Sequence, residues 1–205
     1  MIASYIQLSL FLWFPAMWVA NRFIADKKTN LVVVLLIAFG VPAIPVQGLM
    51  IQGYWFGIVG HLSVTTTLLL GHGAIVRAFP EFQAVDTDSK KFLFLIIGLI
   101  ALPFYPLALG LSPFDPYRLG YQPLVLSLCV MTLSLLAWQM KRRAAAFILL
   151  IALLGYQLHV LESNNLWDYL FDPLLVLYAW VLGIKTGVRY IRSRPNTANK
   201  PIVSD

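Results

Sequence analysis

Seven apolar runs, each about as long as a membrane-spanning helix, follow one another along the chain with only short polar links between them. A spanning helix needs about 20 mostly apolar residues. The chain has 205 residues, of which 60% are hydrophobic and 12% are charged, and about twice this charged fraction is usual in soluble domains. The sequence therefore predicts an all-α, polytopic integral membrane protein. The predicted spans are 2–20, 30–50, 54–79, 92–111, 124–140, 144–161 and 174–190.

Basic residues alternate between the links. The links after the first, third and fifth spans and the C-terminal tail carry nearly all Lys and Arg, whereas the other three links carry only Arg118. Cytoplasmic loops are enriched in Lys and Arg, so we expect the N-terminus outside, the C-terminus in the cytoplasm, and a location in the bacterial inner membrane. Because the basic residues form short clusters between apolar runs, we expect no nucleic-acid partner.

The chain is predicted to form one domain, a transmembrane bundle over residues 1–190. Residues 191–205 read as a short polar cytoplasmic tail that is disordered. Pro42 and Pro45 in the second span, and Pro103 and Pro106 in the fourth, predict kinks at two P-x-x-P sequences. The link of three residues at 51–53 predicts a tight helical hairpin between spans two and three.

The richest polar stretch is YQLHVLESNNLWDYLFDP, residues 156–173. We expect His159 to lie near the outer end of span six, with Glu162 on the same helical face. In span three, His61 and His72 are eleven residues apart, which predicts one helical face and a separation of about 16 Å. His61 and His159 would then lie at similar depth.

These residues predict a pocket at the outer leaflet. Imidazole and carboxylate groups can bind a divalent metal or carry out acid–base chemistry on a lipid phosphate or ester. We assign catalysis, or metal binding if a metal is present, to His159, His61 and Glu162. We assign substrate binding to Arg118, Asp115, Asp168 and Asp172, with Arg118 as the anion binder.

Plainer interpretations remain open. Asp172 precedes Pro173, which is the expected arrangement for an N-cap followed by the first helical residue. Glu162 and Asp168 fit solvated interfacial charges. His61 and His159 also fit the axial ligands of a single b-type haem. The default expectation is that the chain holds no cofactor.

Two functions are compatible with this pattern. The leading hypothesis is a non-catalytic subunit or assembly factor of a larger membrane complex, whose partners are the lipid bilayer and other membrane subunits or further copies of the chain. Gly71, Gly73 and Ala74 in span three, or Gly183 and Gly187 in span seven, would supply the small-residue face for helix packing. The alternative is a small enzyme acting on a lipid or lipid-linked substrate at the outer leaflet. The enzyme hypothesis predicts that His61, His159 and Glu162 converge on one cavity.

Overall fold

The computed structural model describes residues 2–82 and 84–193. Within these ranges the regular elements are helices, apart from one short antiparallel hairpin, and loops connect them. The helices are α1 (Ile2–Phe23), α2 (Lys27–Gly40), α3 (Ile51–Val59), α4 (Val64–Ala78), α5 (Thr87–Pro106), α6 (Pro123–Gln139), α7 (Arg143–Gln157), α8 (Trp167–Leu170) and α9 (Pro173–Ser193). The strands are β1 (Pro45–Val46) and β2 (Leu49–Met50). Residues 194–205, most of the predicted tail, lie outside the described residues.

Among the described residues, three helices are long and apolar enough to cross a membrane, judged by length and composition. They are Ile2–Phe23, Thr87–Leu111 and Pro173–Arg192. The helices α6 and α7 are also apolar but shorter, with 17 and 15 residues. The chain is therefore an α-helical membrane protein.

The second apolar run is not one helix. The helix α2 ends at Gly40 and a 3-10 turn follows over Val41–Ala43. The chain then forms the β1–β2 hairpin, whose turn residues Gln47 and Gly48 both have positive φ, as two-residue hairpin turns require. Since proline has no N–H to continue a helix, the sequence leaves helical geometry here. The predicted helix over 30–50 and the predicted link at 51–53 are therefore wrong.

The third apolar run is also interrupted. The helix α3 ends at Val59, and Gly60 has a φ of 74°, which favours glycine because it has no Cβ. The helix α4 begins after Ser63, whose side chain accepts a hydrogen bond from the Thr66 N–H. His61 thus lies in a loop between two helices, and the prediction that it shares a helical face with His72 is wrong.

The second pair of prolines has a different effect. The helix α5 continues through Pro103 to Pro106, and the chain then forms a π-helical turn over Leu107–Leu111. Such turns inside or beside α-helices are frequent at functional sites. This turn contributes to the wall of the cavity described below.

The helices pack in two groups that share one bundle. One core cluster joins α1, α2 and α4, and the other joins α5 to α9. Alanines that are fully buried lie at the crossings: Ala38, Ala101, Ala137, Ala145 and Ala152. Small residues at these crossings let helices approach closely, which is how membrane helices gain packing energy.

The connecting segments gather at two ends of the bundle. At one end, which we call the His61 end, the loop at residues 60–63 contacts Glu162 and Asp172. At the other, the Lys27 end, Arg142 pairs with Asp88 at 2.7 Å. His72 lies toward this second end, where its Nε2 accepts a hydrogen bond from the Val85 N–H at 3.0 Å.

Candidate functional site

The loop that carries His61 is held by a buried glutamine of α1. Gln7 donates from Nε2 to the Leu62 carbonyl at 2.8 Å and accepts from the Leu62 N–H at 2.9 Å. Both partners are almost fully buried. Because buried backbone groups must be hydrogen-bonded, Gln7 replaces the helical bonds that are lost where the chain breaks between α3 and α4.

Asp172 joins the starts of two helices. Its Oδ1 accepts from the Leu175 N–H at 3.0 Å, which confirms the predicted N-cap of α9. Its Oδ2 accepts from the Ser63 N–H at 2.9 Å and from the Thr66 hydroxyl. A carboxylate is favoured near the positive end of a helix dipole, and Asp172 faces two such ends. The plainer interpretation of Asp172 as a helix cap therefore accounts for these hydrogen bonds.

A second carboxylate forms a cluster with two hydroxyls. Tyr117 donates to Asp168, with 3.0 Å from its hydroxyl to each carboxylate oxygen, and Ser163 also donates to Asp168. We call these three residues the Asp168 cluster. Burial, and after it the negative charge of Asp168, raises the pKa of Tyr117 well above its usual range. Tyr117 therefore stays a hydrogen-bond donor to Asp168.

Asn165 fixes the backbone around this cluster. Its side-chain N–H donates to the Tyr117 carbonyl at 3.0 Å, and its Oδ1 accepts from the Trp167 N–H at 3.0 Å. The segment passes so close to Gly120 that a Cβ at that position would lie 1.8 Å from Asn165 Oδ1. Gly120 is therefore required for the contact between the two loops.

Tyr169 holds the backbone of the segment 156–173 through its hydroxyl group. Its hydroxyl donates toward the Leu161 and Ser163 carbonyls, each at 2.9 Å, and accepts from the Leu161 N–H at 3.3 Å. The ring is fully buried, and burial raises the pKa of Tyr169 above its usual value. The polar segment 156–173 is thus an ordered structure rather than a solvated link.

These elements line a partly open cavity of about 440 Å³, which we call the His61 cavity. Its volume lies within the range that small-molecule sites occupy. The residues lining it are Val59, Gly60, His61, Phe104, Tyr105, Ala108, Leu109, Tyr117, Ser163, Trp167, Asp168, Phe171, Asp172 and Pro173. The wall is therefore largely aromatic and aliphatic, with a few polar groups.

His61 is the least satisfied of those polar groups. Its side chain is only 10% exposed, and within the described part of the chain neither ring nitrogen has a hydrogen-bond partner. The ring packs on Phe56 with centroids 4.5 Å apart, and Nε2 lies 3.9 Å from the Glu162 carboxylate. A buried polar group without a hydrogen bond is costly, and such groups are expected where a ligand completes the site.

The other predicted catalytic histidine lies elsewhere. The helix α7 ends at Gln157, and His159 follows in a left-handed conformation with a φ of 51°. His159 and Glu162 therefore do not share a helical face, and that prediction is wrong. The His159 side chain is exposed and stacks beside Tyr156. The structure brings His61 and Glu162 together, but of the three residues expected to converge on one cavity only His61 is among those that line the His61 cavity.

The predicted substrate-binding residues also separate. Asp168 and Asp172 line the cavity, whereas Asp115 and Arg118 do not. Asp115 caps a short 3-10 turn by accepting from the Tyr117 N–H at 2.9 Å, and Arg118 is exposed. The wall of the His61 cavity thus contains two of the four predicted substrate-binding residues.

The metal and haem hypotheses gain no support from this geometry. Among residues 2–82 and 84–193, no three His, Cys, Asp or Glu side chains lie close enough together to ligate one metal ion. His61 packs on Phe56 and His159 on Tyr156, so the two imidazoles face different neighbours.

Several site residues escape recognition from the sequence. Gln7 lies in an ordinary apolar helix, and Tyr117 and Ser163 lie in loops with no motif around them. The sequence does repeat Phe-Asp-Pro at 114–116 and 171–173, and the loops beside the two copies are in contact, since the Trp167 indole N–H donates to the Pro116 carbonyl at 2.9 Å.

No protein-family model matches this chain, and neither a curated protein nor a solved structure is similar to it.

Proposed function

We propose that the chain is a multi-pass protein of the bacterial inner membrane with seven spans and an outer N-terminus. In this topology α3 and α4 together form the third span, and the His61 end lies at the periplasmic leaflet. The alternation of basic residues supports the orientation. The break at residues 60–63 suits a membrane position, because non-helical backbone at membrane depth is tolerated where it lines a cavity.

In this orientation, the His61 cavity binds the headgroup of a lipid or lipid-linked ligand that arrives from the outer leaflet. The observation that carries this proposal is the buried His61 imidazole, which lies at the wall of a ligand-sized cavity without a hydrogen-bond partner in the described chain. A ligand hydroxyl or ammonium group would supply the missing bond, and the apolar wall would accept the adjoining hydrocarbon.

The charges around the cavity favour a cationic headgroup. Among the described residues that line it are two carboxylates, Asp168 and Asp172, and no Lys or Arg. Aromatic rings attract cations through their negative faces, and five of the lining residues are aromatic: Phe104, Tyr105, Tyr117, Trp167 and Phe171. An ammonium headgroup therefore fits this wall better than an exposed phosphate does.

A reaction in this cavity would use His61 as the group that exchanges a proton with the ligand. Histidine is the most frequent general acid or base because its ordinary pKa lies near neutral pH. Glu162, at 3.9 Å, would orient the ring. In this version of the proposal, the chain is a small membrane enzyme, and Asp168 holds the substrate.

The binding proposal is tested by titrating the detergent-solubilised full chain with short-chain phosphatidylethanolamine, with phosphatidylglycerol of the same chain length as the comparison. We expect His61→Ala to weaken phosphatidylethanolamine binding about tenfold or more, since a hydrogen bond to a charged group is lost. His159→Ala is the matched control and should leave binding unchanged. Equal affinities of the three proteins, or equal binding of the two lipids, would overturn the proposal.

A second candidate function is that of a non-catalytic subunit or assembly factor of a membrane complex. The observation that favours it is the last part of α9, where every residue from Gly183 to Arg192 is exposed. A Cβ at Gly183 or Gly187 would have no described atom within 4 Å. Two glycines four residues apart on an apolar helix allow another membrane helix to approach closely.

This second candidate is tested by the mass of the detergent-solubilised complex. Gly183→Leu with Gly187→Leu should reduce association with a second copy or a co-purifying membrane subunit. Ile184→Leu, on the same exposed part of α9, is the matched control and should change nothing. An unchanged mass in the double variant contradicts a role for these glycines.

A further inference from the structure

A second cavity lies at the Lys27 end of the bundle, between α1, α2 and the end of α4. Its volume is about 740 Å³, and we call it the Lys27 cavity. The residues lining it are Phe14, Met17, Trp18, Asn21, Ile24, Ala25, Lys27, Lys28, Asn30, Leu31, Arg77, Ala78, Phe79 and Pro80. None of the residues that line the His61 cavity belongs to it.

The charge of this wall is opposite to that of the His61 cavity. Lys27, Lys28 and Arg77 are cationic, and among the described residues of the wall there is no Asp or Glu. Asp26 is adjacent in sequence, but its carboxylate is engaged as the N-cap of α2, where it accepts from the Thr29 N–H at 2.8 Å. Three cations around one opening without a lining acid favour an anionic ligand.

Arg77 is held in place by contacts that leave most of its donors available for a ligand. Its guanidinium carbon lies 4.5 Å from the centre of the Phe14 ring, and one NH group makes a long contact of 3.5 Å to the Gly73 carbonyl. Guanidinium carries five N–H donors in a planar fork that matches phosphate oxygens. The contact with Phe14 holds the guanidinium group at the wall of the cavity.

The remaining wall fits a hydrocarbon chain. Phe14, Met17 and Trp18 come from one helical stretch of α1, and Leu31 faces them from α2. These residues lie within or beside a helix that is long and apolar enough to cross a membrane. In the orientation proposed above, the cations would lie at the level of the headgroups, with apolar surface continuing toward the interior of the bilayer.

We propose that the Lys27 cavity binds the phosphate headgroup of an anionic phospholipid. In the orientation proposed above, this is a lipid of the cytoplasmic leaflet. Basic cavities between membrane helices are suited to such headgroups, and each nearby Lys or Arg strengthens the attraction. The site is independent of the His61 cavity, since the two walls share no residue and have opposite charge.

The test uses the full chain in detergent with phosphatidylglycerol, and native mass spectrometry to count bound lipid. Phosphatidylcholine of the same chain length, which is zwitterionic and has no net charge, is the comparison. The wild-type chain should retain phosphatidylglycerol in preference to phosphatidylcholine. Lys27→Gln with Lys28→Gln and Arg77→Gln should weaken retention roughly 10- to 100-fold. The matched control is Lys185→Gln with Arg189→Gln and Arg192→Gln, which removes the same charge from the exposed end of α9 and should keep the wild-type preference.

Equal losses in the two triple variants would mean that only general surface charge matters, and would overturn the proposal. A separate titration with inorganic phosphate distinguishes the two possible sources of the ligand. If millimolar phosphate displaces the lipid, the site takes free phosphate and the lipid assignment is wrong.

A milder variant guards against the possibility that the triple variant fails to fold. Lys27→Gln with Lys28→Gln keeps the Arg77–Phe14 contact intact and should still weaken the retention of phosphatidylglycerol.

Discussion

The Asp172 carboxylate accepts a hydrogen bond from the backbone N–H of Ser63 at 2.9 Å, although the two residues are 109 positions apart in the chain. The same carboxylate caps α9 through the Leu175 N–H. One side chain therefore fixes the start of α4 relative to the start of α9, and the loop before α4 and the first residue of α9 both border the His61 cavity. The shape of the cavity depends on this link.

Replacing Asp172 should therefore destabilise the fold. In Asp172→Asn, the amide N–H₂ cannot accept the bonds that one carboxylate oxygen now accepts, so buried donors lose their partner at a cost of about 1–3 kcal/mol. Chemical unfolding in detergent measures the loss. Asp26→Asn is the matched control, because Asp26 caps an exposed helix start with similar local bonds, and its effect should be smaller. Equal effects of the two substitutions would show that Asp172 is only a local cap.

Gln7 should matter for both stability and binding. Gln7→Leu leaves the buried Leu62 N–H and C=O without their partner, which costs about 1–3 kcal/mol for each unsatisfied group. The loop that carries His61 would also lose its support, so ligand affinity should fall with stability. Gln139→Leu, at an exposed position of α6, is the control and should change neither the free energy of unfolding nor binding. If Gln7→Leu has the same free energy of unfolding as the wild-type chain, Gln7 does not hold the loop that carries His61.

Gly120 should tolerate no side chain. In Gly120→Ala the new Cβ would lie 1.8 Å from Asn165 Oδ1 and 2.9 Å from a Trp167 ring carbon. The loops must then separate, which we expect to cost about 1–3 kcal/mol, as for other overpacked substitutions. Gly183→Ala, where the added Cβ meets no described atom within 4 Å, should be neutral or slightly stabilising, because alanine favours the helix. Thermal unfolding of the two variants side by side measures the difference, and equal melting temperatures would contradict it.

Alkaline pH should weaken the fold through Tyr117. Burial and the charge of Asp168 raise the pKa of Tyr117, so the folded state keeps the phenol proton at a pH where the unfolded chain, with an ordinary pKa of about 10, loses it. Because the folded state then binds more protons, the free energy of unfolding falls as pH rises above about 10. In Tyr117→Phe this fall should be smaller, although the variant starts from a lower stability. Unfolding curves between pH 8 and pH 11 measure this dependence. If the free energy of unfolding of Tyr117→Phe falls with pH as steeply as that of the wild-type chain, Tyr117 is not the cause.

The sequence predicts the class of fold because apolar run length is a direct physical requirement of the bilayer. It predicts the Asp172 cap equally well, since an acidic residue before proline is a local signal. It fails at the two breaks, Gly40–Met50 and Gly60–Ser63, where an apolar run conceals a change of backbone conformation. Hydrophobicity is unchanged across such a break, so only Gly60 and the two prolines carry a hint of it.

The candidate site, like the fold, could be predicted from the sequence only in part. His61, Asp168 and Asp172 could be selected from the sequence because ionisable groups are rare in this chain. The partners that give them their roles, such as Gln7 and Tyr117, come from distant segments with no local motif. The sequence predicts a helical position for His159, whereas the residue follows the end of α7 with a left-handed backbone and an exposed side chain.

The central claim is that a ligand completes the hydrogen bonding of His61. The most direct measurement is the ¹⁵N spectrum of the imidazoles in a chain labelled at histidine, recorded with and without short-chain phosphatidylethanolamine. The chain has three histidines, which substitution of each in turn assigns. The account predicts that the His61 resonances shift on addition of the lipid while those of His72 and His159 stay in place. If the lipid leaves the His61 resonances unchanged, or shifts only those of His159, the proposed site is wrong.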